Sequence, residues 1–192
     1  MGMMPTDPLM AYAADFYPNK DKILAAMLYL MKIRQGISQY QIVKSVFLAD
    51  KNHLNETGRP ITFDKYVAME QGPVPSLVYA LLMQEEVFRI IYNRDAPWSF
   101  ERRGNGNRYY ALEEPNFEVL SQTDLEALRE GLRVVQKLSS AELSKLLHDD
   151  PAYREAWSRR EGVKKSVPMR AVKLLSDESE ERISLLNELC YP

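Results

Sequence analysis

The chain is poor in the residues from which metal and redox chemistry is built. It contains one cysteine, Cys190, and two histidines, His53 and His148. A lone cysteine forms no intrachain disulfide, which fits a reducing compartment, and a cytoplasmic protein is expected. No Cys or His pair has zinc-ligand spacing, so no structural zinc site is expected. Long apolar runs are also missing. None approaches the roughly 18 residues of a membrane-crossing helix, and no membrane association is expected. Residues 1–18 carry Pro5, Asp7, Pro8 and Asp15 in place of the charged start and apolar stretch of a secretory signal. Charge of one sign is not in excess: 25 Lys and Arg face 27 Asp and Glu, a formal net charge of −2. A global field that recruits nucleic acid is thereby excluded, and any such contact needs a local patch. Finally, there is no glycine-rich phosphate loop, dinucleotide fingerprint or G-x-S-x-G elbow. No cofactor and no catalytic activity are expected.

What is present is the material of an ordinary globule, with 45% hydrophobic and 27% charged residues in a chain of 192. It divides into an N-terminal segment (1–18), a domain (19–160), and a connector with a C-terminal helix packing on that domain (161–192). Asn19 is a plausible cap for a helix to about Gly36, with Ile23, Leu24, Met27, Leu28, Leu30 and Met31 on its apolar face. Ser38 with Gln41 has the capping-box pattern, and the helix it opens ends at Gly58. Pro60 breaks the helix, Tyr66–Met69 reads as a short strand, and Gly72-Pro73-Val74-Pro75 as a rigid turn into a third helix through about Glu86. Phe88–Tyr92 reads as a strand. Two further strands flank the Asn105-Gly106 step, a strong hairpin signal. Helices are expected from Ser121, Ser139 and Asp150, and a last one over about Glu178–Leu189. In that last helix Leu185 and Leu189 are offered either to the core or to a homodimer. The fold class is therefore α+β and predominantly helical, a helical bundle with a small inserted antiparallel sheet or hairpin. The order helix–helix–helix–hairpin is also that of a winged helix.

Two basic clusters bear on partners. Arg102, Arg103 and Arg108 surround the hairpin tip, near Trp98, Tyr109 and Tyr110, where a wing would touch phosphate or an acidic protein. The second is Arg159, Arg160, Lys164, Lys165, Arg170 and Lys173, with Glu161 the opposing charge inside it. Solvated charge is the plainer reading of both. A DNA-reading third helix needs basic residues, and Ser76–Met83 has none. That weighs against a winged-helix regulator. A hydrolase reading would require a deep pocket gathering Asp50 and His53 with another polar group. The same pair at i and i+3 is the one mixed metal site to consider, against the plainer reading of a hydrogen-bonded helix end.

The stretch Val43–Leu82 holds the most specific pattern. It runs Phe47-Leu48-Ala49-Asp50, His53, Gly58-Arg59-Pro60-Ile61-Thr62, Asp64, Tyr66-Val67-Ala68-Met69, and Gly72-Pro73-Val74-Pro75 leading to Tyr79. Downstream come His148, Asp150-Pro151-Ala152-Tyr153 and Ala156-Trp157. Over about residues 20–160 the chain resembles the Panacea domain of SocA-like antitoxins. It departs from the pattern at Leu147, where the family's serine–histidine pair has serine. The resemblance implies a two-gene toxin–antitoxin system, often phage-associated, in which the antitoxin neutralises a toxin encoded by an adjacent gene. It implies direct protein contact, with one relative acting as an adaptor that delivers its toxin to a AAA+ protease. It implies no cofactor. Read physically, Arg59 and Asp64 are expected to pair across the corner, and Asp50, His53 and Tyr66 to form one polar network there. The alternative function is a winged-helix-like DNA-binding regulator of its own operon.

Overall fold

Five α-helices begin where the sequence places a side-chain oxygen to accept the free amides of a first turn. Asn19 caps α1 (Lys20–Ile33), and Ser38, Ser121 and Ser139 form capping boxes for α2 (Gln39–Thr57), α5 (Gln122–Lys137) and α6 (Ser140–His148). Each such cap contributes about 1 kcal/mol. Asp150 caps α7 (Pro151–Ser158), whose first residue tolerates proline because its amide needs no partner. The remaining elements are β1 (Ile37–Ser38), β2 (Tyr66–Met69), β3 (Gly72–Pro75), α3 (Ser76–Met83), α4 (Glu85–Tyr92), β4 (Trp98–Arg103), β5 (Gly106–Ala111), β6 (Ser166–Pro168) and α8 (Glu180–Cys190). This computed structural model describes residues 15–104 and 106–190. Residues 1–14 of the N-terminal segment, and Asn105 of the hairpin tip, lie outside the described residues. The architecture is α+β and predominantly helical.

Two three-stranded antiparallel sheets interrupt the helices, ordered β1-β5-β4 and β3-β2-β6. In the first, the β4–β5 hairpin is closed by β1, which lies between α1 and α2 in sequence. In the second, β2 and β3 pair from Tyr66↔Pro75 to Met69↔Gly72, leaving Glu70 and Gln71 as the connecting turn. The Gly72–Pro75 segment is thus a strand and not the turn expected. Pro73 and Pro75, two apart, place their missing donors on one side of the strand, and an edge strand has a side without a partner. Within 161–168, Ser166–Pro168 completes the sheet by pairing with β2.

Phe88–Tyr92 corrects the expected strand, because it lies in the helix α4. Short apolar runs fit either period. Here Glu85 and Glu86 suit a helix N-terminus. Phe88 and Tyr92, one turn apart, stack at 4.5 Å, and Phe88 is edge-on to Trp98 at 4.9 Å. Alternation would have buried Ile90 with Phe88, yet Ile90 is 75% exposed.

α2 is the spine of the molecule. Ile42, Val43, Val46 and Ala49 join one core with α1, α3, Phe88 and the hairpin. Phe47 and Leu54 join a second, with Tyr66, Leu143, Leu147, Tyr153, Val172 and Leu186. In α8, Leu186 and Cys190 are buried and Leu185 is turned to solvent. α5 crosses α2 closely: a Cβ on Gly131 would stand 2.5 Å from the Ser45 carbonyl oxygen and 3.3 Å from the Ala49 Cβ. No helix among the described residues is long and apolar enough to cross a membrane.

Candidate functional site

α2 stops at Gly58, whose φ of 86° a side chain would strain, and the chain turns into the Arg59–Asp64 corner. Buried Asp50 reaches across that corner. Its Oδ1 accepts from the amides of Ile61 and Thr62, each at 2.9 Å. Its Oδ2 accepts from the hydroxyls of Thr62 and Tyr66. Burial pushes the Asp50 carboxyl above its ordinary pKa, and these four donors oppose that shift. Asp64 caps α3, accepting from Leu77 and Val78 amides at 3.0 Å and from Lys65 at 2.7 Å. Burial raises it to about 7 against the pull of those amides. Between them Phe63 takes a left-handed φ of 55°, a conformation kept because both flanks are fixed.

The expected Arg59–Asp64 pair is not formed, since Asp64 is committed to the amides of α3. Arg59 turns instead to Asp124 at the start of α5, 3.0 Å from its Oδ1. The expected single network is divided as well. Asp50 and Tyr66 share one, whereas His53 points the other way, with Nδ1 2.8 Å from the Arg59 carbonyl oxygen. His53 Nε2 is 3.0 Å from Thr123 Oγ1 and 3.2 Å from Asp124 Oδ1. Asp124 is fully buried. Burial raises its carboxyl, but the Lys22 ammonium at 2.7 Å, the Ser121 amide and the Arg59 charge outweigh burial and leave it below the usual carboxylate range. Asp50 and His53 are thus spent on locking the corner to α5 and β2. No group of three or more metal-ligating side chains gathers among the described residues.

The downstream block meets the upstream one at the β2–β3 turn. His148 Nε2 lies 3.0 Å from the Glu70 carbonyl oxygen, and Tyr153 donates its hydroxyl to the Met69 carbonyl at 3.0 Å. At the departure from the family pattern, Leu147 is buried under Gly72, within 3.3 Å of where a Cβ there would stand. Ser144, one helical turn before His148, brings its Oγ 3.2 Å from His148 Nδ1. A hydroxyl beside the histidine is therefore present, supplied from another position.

The turn forms one edge of a cleft of about 530 Å³, lined by Tyr40, Lys44, Val74, Tyr79, Trp157 and Arg160 among others. Val74, Tyr79 and Trp157 belong to the sequence motif; Tyr40 precedes it, and Lys44 falls within its span without being one of its residues. Lys44 is 1% exposed. Its ammonium donates to the Pro73 carbonyl at 2.8 Å and stands 5.4 Å from the centre of the Tyr40 ring. The one signal for it in sequence is a cation inside the apolar run Ile42–Phe47.

Burial lowers the Lys44 pKa to about 7, so the unfolded chain holds that proton more tightly than the native one. The Lys44 contribution to stability should therefore rise as the pH increases above 7. The Asp64 effect lies below about 7, and those of Cys190 and the buried tyrosines begin at 9 or above. Between pH 7 and 9 the Lys44 contribution is expected to reach about 2–3 kcal/mol. It is read as the difference between the native protein and a variant without the ammonium, because Asp50, raised by burial, acts in the opposite direction in both. Lys44→Met, which fills the same volume, should flatten that slope in urea-unfolding midpoints measured at the two pH values.

The second basic cluster is paired at four of its six residues, the first at Arg103. Trp98 and Tyr109 are core residues, with the Tyr109 hydroxyl donating to the Leu82 carbonyl at 2.9 Å, so neither offers a ring for stacking. Arg103 pairs with Glu101, and Arg102 is exposed. Arg108 is half-buried and lines a second cleft together with Arg34. In the second cluster Glu155 takes both Arg159 and Arg170, Glu161 takes Lys164, and Glu178 takes Lys173. Two of those acids lie outside the stretch, which is why Glu161 alone opposes it in sequence.

A protein-family model described as antitoxin SocA-like, Panacea domain, matches residues 42–154. That span contains the corner, the β2–β3 turn and His148. No curated protein and no solved structure matches the chain.

Proposed function

The chain belongs to the antitoxin SocA-like, Panacea domain family, and on that premise we propose that it neutralises a cognate toxin by direct protein contact. The observation that carries this reading is the meeting of the two motif blocks, some seventy residues apart, around one open cleft. The corner residues Asp50, His53, Gly58, Arg59, Pro60, Asp64 and Tyr66 build the frame. Gly72, Pro73, Val74, Pro75, Tyr79, His148 and Trp157 shape the cleft and the turn beside it. Delivery of the bound toxin to a AAA+ protease is the finer form of the proposal. It uses the same contact, with the antitoxin as the bridging subunit.

The DNA-binding alternative gains little from the geometry. α3 carries no basic residue, α4 opens with Glu85 and Glu86, and of the hairpin aromatics Trp98 and Tyr109 are inside. The deciding experiment is expression of the adjacent gene's product alone and together with this protein. Growth arrest relieved by co-expression, with a complex that co-purifies, is the expected result. A harmless neighbour that forms no complex would refute the role. If a complex forms, following toxin half-life with and without the cytoplasmic proteases separates masking from delivery: a lifetime unchanged by the antitoxin rules out the adaptor form.

A further inference from the structure

Every buried acid in this fold is answered by donors, but the buried cation Lys44 is not answered in kind. Its ammonium has three N–H groups, and one acceptor, the Pro73 carbonyl, takes one of them. The Tyr40 ring face adds a weaker contact, and no ion pair is made with any described residue. Removing an ammonium from water is costly unless a carboxylate replaces the hydration. A methionine would pack the same space without that cost. The charge is kept where packing alone does not require it, at the edge of an open cleft.

The rest of the cleft has matching chemistry. Arg160, Lys164 and Lys165 stand around it against a single lining acid, Glu70, on a chain whose overall charge is −2. Lys164 has Glu161 at 3.3 Å, whereas Arg160 and Lys165 have no carboxylate partner among the described residues. Val163, 96% exposed, adds an apolar contact at the same rim, and Tyr40, Val74 and Tyr79 provide the walls.

We propose that this cleft takes an acidic extended segment of the partner protein, with one carboxylate accepting from Lys44 and its neighbours meeting Arg160 and Lys165. The inference rests on the toxin-binding reading above and names the chemistry of the contact. A protein segment fits better than a nucleic acid. Trp157, the largest ring here, is already stacked on Tyr153 at 5.8 Å and covered by the Arg160 guanidinium at 4.6 Å. It has little face left for a base. The walls that enclose the ammonium are apolar and suit side chains more than a phosphate backbone.

The test uses the full-length protein and a short fluorescein-labelled peptide alternating Glu and Leu, read by fluorescence polarisation. A Lys/Leu peptide and an oligothymidylate serve as the other probes. Saturable binding of the acidic peptide alone is expected. Lys44→Met, and separately the exposed double change Arg160→Glu with Lys165→Glu, should each weaken it roughly tenfold or more. Cooperative thermal melts show that the variants are folded, and the surface double variant decides the matter if Lys44→Met is not. No binding by the native protein, equal binding by the variants, or competition by the oligothymidylate would overturn the proposal. The same variants are then carried into the co-expression assay. Toxin rescue that survives loss of peptide binding overturns the cleft as the toxin contact and leaves neutralisation standing. Absence of rescue by the native protein refutes neutralisation, and the peptide titration then judges the cleft alone.

Discussion

Asp50→Ala is expected to cost about 3–5 kcal/mol, enough to leave many proteins of this size barely folded. The carboxylate accepts four hydrogen bonds inside the protein, from two backbone amides and two hydroxyls. Alanine leaves all four donors buried without water or partner, and each such group costs about 1–3 kcal/mol. Part of that loss is returned, because the buried carboxylate itself no longer has to be held away from solvent. The net effect is still a large loss, since Asp50 also fixes one flank of Phe63, which is held in a left-handed conformation. Asp50→Asn keeps one acceptor oxygen for the two amides and turns an NH2 group toward the two hydroxyls, so it should fall between. Urea unfolding followed by circular dichroism gives the order native, Asn, Ala. An alanine variant within about 1 kcal/mol of native would show that the corner is held by packing and not by this carboxylate.

Gly131→Leu is expected to be at least as damaging, for a steric reason. The first side-chain carbon would stand 2.5 Å from the Ser45 carbonyl oxygen and 3.2 Å from the Ala49 amide nitrogen. Both are backbone atoms of α2 and neither has a rotamer to escape into, so α2 and α5 must separate. Because α2 is shared by both cores, that movement opens packing on either side of it. Overpacking of this kind costs about 1–3 kcal/mol for small additions and more where the backbone must move. Gly131→Ala carries the same first carbon but gains about 1 kcal/mol of helix propensity. A net loss of about 1–2 kcal/mol is expected for Ala, and more than about 3 kcal/mol for Leu. Thermal midpoints of the three proteins test this. An alanine variant more stable than native would mean that the helix crossing is looser than these distances imply.

The residues that direct the chain locally are legible from their order along it. Ser38 with Gln41, Ser121 with Asp124 and Ser139 with Glu142 act through neighbours three positions away, so their caps form wherever the sequence goes. Gly58 ends α2 for an equally local reason. The strand Tyr66–Met69 and the hairpin around Gly106 are in the same category. Phe88–Tyr92 is not legible in this way, because five apolar-rich residues satisfy both periods and contact with Trp98 makes the choice. Nor is the second edge of the β2 sheet, because β6 lies nearly a hundred residues downstream of β2 and is three residues long.

For the candidate site the division is sharper. The sequence by itself determined the family, through an ordered motif whose residues lie close along the chain, and it marked Asp50, His53, Arg59, Asp64 and Tyr66 as a polar group at one corner. Only the tertiary structure decided who pairs with whom. Arg59 and His53 go to Asp124, seventy residues away, and Asp64 goes to the amides of α3. Charges and donors do not choose partners by sequence distance; they are matched by which surfaces the cores bring together. Lys44 shows the same principle most plainly. Along the chain it is one cation on a helix, and it becomes a buried ammonium at the edge of a cleft because β3 and Tyr40 close over it.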